Sequence, residues 1–290
     1  MKENIERILV TTDGSPESES VFAAIMPLVR AYAPEVAVLY VFEDPEASFM
    51  PPARIAKACS ALRSSNVNAY LELREGVPSE EILRAAREKK ADLIAISTHG
   101  RGGVVRLIAG SVAEEVLRRA EVPLLVTRPG TPVHEWKRIV VALDGSELGE
   151  SILPDAVQLA RKLGASIDVL RVAVPTFAAG AAEVPIMVPP EDPMPYLSGV
   201  IARLKSDGVE ARAVALEGRA AEGILRHLEE SHAGLLCMTT HGRTGLARLL
   251  LGSVAEEVVR KAPCPVLLRR SVPAAVAAPK GAEKKSVKVY

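Results

Sequence analysis

The chain has 290 residues, is 48% hydrophobic and 25% charged, and balances 36 Lys+Arg against 36 Asp+Glu. That length predicts two domains of about 100–200 residues each, and the composition excludes a largely disordered chain. Zero formal net charge excludes the basic field of a dedicated nucleic-acid binder. The three cysteines, Cys59, Cys237 and Cys264, form no CxxC pair, which excludes a disulfide framework and points to a reducing compartment.

The charged N-terminus, Met1 to Arg7, runs straight into an apolar strand-like stretch, so no signal peptide or membrane span is expected. A soluble, cytoplasmic protein is the expectation. Ile8–Thr12 reads as a strand, Asp13-Gly14-Ser15 as a turn and helix start, and Glu17–Ala31 as a helix. Val36–Phe42 and Val67–Leu73 read as strands on either side of a variable region, with Gly76 leading into a helix over Ser79–Lys89. Asp92–Ser97, Val112–Ala120 and Val122–Thr127 complete the unit as strand, helix and strand.

The pattern then repeats. Asp13-Gly14-Ser15 recurs as Asp144-Gly145-Ser146, offset by 131, and STHGRGGVVRLIAGSVAEEV recurs as TTHGRTGLARLLLGSVAEEV, offset by 142 with 14 of 20 positions identical. The offset grows by 11, so the second half carries an insertion. Its elements are predicted as helix Leu148–Leu163, strands Ile167–Val174 and Val209–Leu216, helix Ala220–Ser231 after Gly218, strand Gly234–Thr239, helix Val254–Lys261 and strand Pro265–Arg269. Pro27 and Pro154 should kink or re-register the first helix of each half.

Strands alternating with helices predict an α/β fold of two tandem five-stranded parallel sheets with helices on both faces. The domains are read as 1–131 and 132–271, with a disordered tail over 272–290 rich in Ala, Pro and Lys. The segment Pro175 to Pro195 reads as a loop, a mobile flap near the second site.

The chemistry-bearing motifs follow strands. His99-Gly100 and Gly110-Ser111, with the copy His241-Gly242 and Gly252-Ser253, can bring backbone N–H groups and a helix N-terminus to an anion. Ser111 to Glu114 and Ser253 to Glu256 also read as capping boxes, which need only a helix start. Asp13 and Asp144 can accept ribose hydroxyls, help hold a cation, or simply order a turn. Arg101 and Arg243 can neutralise phosphate or sit in solvent, and His99 and His241 can meet a nucleotide or a backbone carbonyl. No P-loop, dinucleotide fingerprint, HExxH or GxSxG motif occurs. Ser15, His99 and Asp13 have no spacing that orients a hydrolytic trio.

The order strand-Asp-Gly-Ser, Thr-His-Gly-Arg, Gly-Ser-Val-Ala-Glu-Glu-Val and a final Pro-initiated strand resembles the universal stress protein family in its tandem form, over residues 5–128 and 136–270. The resemblance implies a Rossmann-like, adenine nucleotide alpha hydrolase-like fold and a stress-response sensor or regulator that is not an efficient enzyme. It implies ATP, alone or with Mg²⁺, with AMP or another adenine nucleotide as the alternative. Its motif G-x-x-G-x9-G-[S/T] fits Gly100 and Gly110-Ser111, and Gly242 and Gly252-Ser253. The first glycine is replaced by Ser97 and Thr239, whose hydroxyls could donate a hydrogen bond instead. The resemblance sets adenine against Val41 and Val172, with ribose at Asp13 and Asp144 beside Thr12 and Leu143. Phosphates fall to Gly100, Gly110, Ser111 and Val112, and to Gly242, Gly252, Ser253 and Val254. A scaffold working through protein contacts and a slow ATP hydrolase are the alternatives. An unidentified regulatory protein and a homodimer of tandem chains are the expected partners, with neither nucleic acid nor membrane. The two fifth strands are expected to join the halves about a pseudo-twofold axis.

Overall fold

The computed structural model describes residues 4–42, 52–98, 111–132, 134–179, 185–188, 190–240 and 252–270. In the first half β1 (Arg7–Thr11) passes through a 3₁₀ turn (Pro16–Glu19) into α1 (Ser20–Tyr32). There follow β2 (Glu35–Phe42), α2 (Ala53–Ser64), β3 (Ala69–Glu75), α3 (Pro78–Glu88), β4 (Leu93–Ser97), α4 (Ser111–Arg119) and β5 (Leu124–Thr127). The second half runs β6 (Arg138–Ala142), α5 (Glu147–Glu150), α6 (Leu153–Leu163), β7 (Ser166–Ala173), β8 (Thr176–Ala179), β9 (Pro185–Val188), α7 (Met194–Ser206), β10 (Ala211–Glu217), α8 (Ala220–Ser231), β11 (Leu235–Thr239), α9 (Ser253–Lys261) and β12 (Val266–Arg269).

The central strands are aliphatic at almost every position because both sheet faces are covered. Successive side chains point to opposite faces. Ile8 and Val10 therefore pack with Ile25 and Leu28 of α1 and Ile55 of α2. Leu9 packs the other way, with Ile82 of α3 and Val116 of α4. The second half repeats this, with Val141 facing α6 and α7, and Val140 facing α8 and α9.

Within each half the strands are parallel, in the orders β3-β2-β1-β4-β5 and β10-β7-β6-β11-β12. The halves meet as expected through their fifth strands. β5 and β12 pair antiparallel, with Val126 opposite Val266, Leu125 opposite Leu267 and Leu124 opposite Leu268, so one sheet of ten strands crosses the molecule. On one face α1 and α6 close over this joint. The Tyr32 hydroxyl donates to the Gln158 carbonyl at 3.5 Å, and Lys162 Nζ lies 5.3 Å from the Tyr32 ring centre.

The variable region after each second strand holds a helix, α2 in the first half and α7 in the second. Two expectations change. The insertion is not simply loop: β8 and β9 form a separate antiparallel pair, and α7 begins at Met194. Pro154 does not kink a long helix but stands in the first turn of a new one, where its missing N–H costs nothing. α1 runs through Pro27 as one helix. The tail expectation concerns 272–290, outside the described residues.

Candidate functional site

In an open parallel sheet, ligands bind beyond the carboxyl ends of the strands, where strand order reverses. Here the reversals fall between β1 and β4 and between β6 and β11. Asp13 and Asp144 lie just past β1 and β6, both partly exposed.

Their local chemistry is that of an ordered turn. Asp13 Oδ1 accepts from the Ser15 N–H at 3.0 Å and from its hydroxyl at 2.6 Å. Ser15 Oγ in turn accepts from the Ser18 N–H and caps the 3₁₀ turn. Asp144 repeats this with Ser146 at 3.0 and 2.7 Å, and Ser146 Oγ accepts from the Gly149 N–H at 3.0 Å. Gly14, at φ +75°, satisfies the left-handed turn and leaves room for Pro52, whose Cγ would lie 2.7 Å from an added Cβ. The turn reading of these aspartates is thus realised, and it also fixes each carboxylate at the strand end.

The halves then diverge. Thr12 is buried, and its Oγ1 lies 2.8 Å from Ser18 Oγ. Leu143 and Gly149 hold those positions in the second half, and a Cβ on Gly149 would lie 2.4 Å from Asp144 Oδ1. Leu143 is anchored by its N–H to the Leu170 carbonyl at 2.9 Å.

On the other side of each crevice, Ser97 is buried and donates its hydroxyl to the Glu17 carbonyl at 3.3 Å, so this substitute for the motif's first glycine ties β4 to the 3₁₀ turn. Thr239, its counterpart, is buried at the end of β11. Beyond it the Gly252 N–H donates to the Thr240 carbonyl at 2.9 Å and pins the start of α9 to that strand end. The capping-box expectation fails here. Gly252, not Ser253, is the N-cap; no side chain among the described residues caps the helix, and Ser253 and Val254 are its first two residues. Glu256 uses its N–H on the Gly252 carbonyl at 2.9 Å. α4 likewise starts at Ser111, with Val112 packed on the core. His99, Gly100, Arg101, Gly110, His241, Gly242 and Arg243 lie outside the described residues.

Val41 and Val172 stand near the carboxyl ends of β2 and β7, half-buried. Sequence reasoning missed what surrounds the second of them. Arg171 is buried with its guanidinium 5.1 Å from the Tyr196 ring centre, and 3.5 Å from Glu191. Burial pushes the Tyr196 phenol up, and the carboxylates of Glu150 and Asp144 push it further, so the ring stays neutral beside the aspartate. The signal for Tyr196 was weak, because α7 falls in the region where the halves share no motif.

A doubled 3-2-1-4-5 sheet, each half with an Asp-Gly-Ser turn at its switch point, defines a tandem Rossmann-like α/β protein. Comparison with known proteins makes this specific: the model of the universal stress protein family matches residues 4–128 and again 135–270, and the chain belongs to that family. It is 35% identical over 138 residues to universal stress protein MJ0531 of Methanocaldococcus jannaschii, covering 46% of this chain and 81% of the relative. It is 27% identical over 230 residues to universal stress protein Mb2028c of Mycobacterium bovis, covering 75% and 74%. A universal stress protein structure from Archaeoglobus fulgidus superposes with TM-score 0.72 at 21% identity, covering 94% of this chain and all of that one. That likeness is one of fold.

Proposed function

We propose that the chain binds an adenine nucleotide, ATP in the first instance, and works as a nucleotide-dependent regulator in the stress response. The observation that carries this reading is the crevice between β6 and β11. There a helix start, Gly252-Ser253-Val254, is pinned to the Thr240 carbonyl one strand away from Asp144. First-turn N–H groups and the helix dipole suit phosphate, and a fixed carboxylate suits ribose hydroxyls. Val172 then serves the base; Val41, Asp13, Ser111 and Val112 hold the corresponding positions of the first half. His99, Gly100, Arg101 and Gly110, with His241, Gly242 and Arg243, would complete the phosphate side by family resemblance.

ATP should be held rather than rapidly turned over. Efficient phosphoryl transfer needs a positioned water, Mg²⁺ and added positive charge at the γ-phosphate. The turn aspartates already accept hydrogen bonds from Ser15 and Ser146. Glu256 is not engaged in a capping box, so it is the carboxylate whose removal tests the slow-hydrolase alternative. Among the described residues no helix is long and apolar enough to cross a membrane; a cytoplasmic site of action and a homodimer of chains belong to the proposal.

The test is calorimetric titration of nucleotide-stripped protein with ATP. Asp144→Ala should weaken binding by about 10–100-fold, the worth of a hydrogen bond to a charged group. Ser146→Ala, which removes the cap and keeps the carboxylate, should weaken it far less. Equal loss in both variants would reduce Asp144 to a turn former.

A further inference from the structure

The strands beside the two base-side valines carry opposite chemistry. β2 and β3 pair with Val41 opposite Arg74, and β7 and β10 pair with Val172 opposite Leu216, so each pair of side chains shares one sheet face. With the offset of 142, Glu72, Arg74 and Glu81 of the first half become Val214, Leu216 and Gly223 of the second.

In the first half these residues build an ion cluster. Arg74 bonds Glu72 through Nε at 2.7 Å and Glu88 at 2.6 Å, and lies 3.6 Å from Glu81. Lys89 reaches Glu72 at 3.2 Å, and Arg84 reaches Glu81 at 2.6 Å. The Arg74 and Glu81 side chains are only 11% and 9% exposed, so the cluster sits in the surface beside Val41 rather than waving above it. In the second half the same ground is Val172, Val214 and Leu216, all half-buried against the core. Gly223 brings α8 close: an added Cβ would lie 3.0 Å from Val172 Cγ2 and 3.6 Å from Leu216 Cδ1.

A purine laid on the first surface would strip the remaining water from three carboxylates and their cations, and its ring nitrogens would find the Arg74 hydrogen bonds already committed. Laid on the second, it would bury apolar surface without breaking a polar contact. We propose that the tandem chain is asymmetric: it takes one adenine nucleotide with the base on Val172 and Leu216, and the Arg74 cluster closes the first half to a base. This rests on the nucleotide reading above. It makes the first half a companion domain whose charged surface is available for another task.

The test uses the full, nucleotide-stripped chain and ATP as the probe. Calorimetry should give one equivalent per chain. Leu216→Arg, which installs the first half's residue, should weaken binding about tenfold or more by setting a charge under the base. Gly223→Ala is the milder check, since its added methyl crowds Val172 while keeping the helix. Arg74→Leu should leave the measured affinity unchanged. Two equivalents of like affinity, or loss on Arg74→Leu with Leu216→Arg silent, would overturn the asymmetry and leave nucleotide binding standing. No uptake of ATP by the unaltered chain would overturn the nucleotide reading itself.

Discussion

Asp155 is fully buried in α6, and Arg269 at the end of β12 meets both of its carboxylate oxygens, at 2.5 and 2.7 Å. The first half has Ala24 and Thr127 at these positions, so the fold does not need the pair. Such a pair is weak support for stability when intact, but removing Arg269 takes an ion-pair partner from a buried carboxylate. Arg269→Thr should therefore destabilise by about 3–5 kcal/mol. Asp155→Ala combined with Arg269→Thr, the first half's own solution, should recover most of that loss. Denaturant unfolding of the single and double variants decides it; a double variant as unstable as Arg269→Thr alone would mean the pair holds the joint directly. The second half shows the same habit at Asp168. Burial alone would raise its pKa, but hydrogen bonds from Arg212 and His227 outweigh burial and hold it below the usual range. The first half has Ala37, Tyr70 and Ala85 there. Duplication kept the apolar frame and let buried charge drift separately in each copy.

Among the elements, β8 and β9 stand apart from the ten-stranded sheet as a pair of their own, Thr176 opposite Val188 through Ala179 opposite Pro185. A two-stranded pair alone is marginally stable in water. Backbone amides of residues 177–179 should exchange with solvent orders of magnitude faster than those of Ile167–Leu170 in β7, read by hydrogen-exchange mass spectrometry. Protection equal to that of β7 would show the hairpin to be part of the core. Where the sequence predicted a loop, the described part of this segment holds a strand pair, and the exchange measurement decides whether it is mobile. The runs Thr176–Ala179 and Pro185–Val188 are only four residues each, without period-two alternation and set among prolines, so they carried too little signal to read as strand. Strands β1, β4, β6 and β11 were legible because burial on both faces demands continuous aliphatic runs. Helices α2 and α7 were not, because each buries a narrow stripe, Ile55, Cys59 and Leu62 in one and Leu197, Val200 and Leu204 in the other. At the site, Asp13, Asp144 and Gly252 were legible from motif spacing. Arg74 and Leu216 were not, since their place beside the valines depends on cross-strand register. The capping box was misread because Ser253 to Glu256 satisfies that pattern one residue inside the true cap.

For the whole molecule, the joint decides whether the halves act as one body. β5 and β12 are sheet edges within their own halves, and apolar edges invite pairing with any free strand. Each covers the other, with Leu125 directly opposite Leu267 and both essentially buried. Tyr32 and Gln158 bridge α1 to α6 on one face, and Arg128 Nε reaches the Ala262 carbonyl at 3.2 Å across the halves. A shared sheet and a shared core predict that the two domains unfold as one cooperative unit. Leu125→Ala and Leu267→Ala should each destabilise by about 2–5 kcal/mol, as truncations of buried leucines do. Because the two residues are cross-strand partners in the same core, their combined effect should depart from additivity by at least about 0.5 kcal/mol. Urea unfolding of the four members of this cycle provides the measurement. The unaltered chain should unfold in one transition, and the double variant should begin to separate into two as the joint weakens before either core does. Strict additivity with a transition already split in the unaltered chain would mean that the halves are independent domains on a tether. The single-nucleotide asymmetry would then be confined to the second half, with no route to the first.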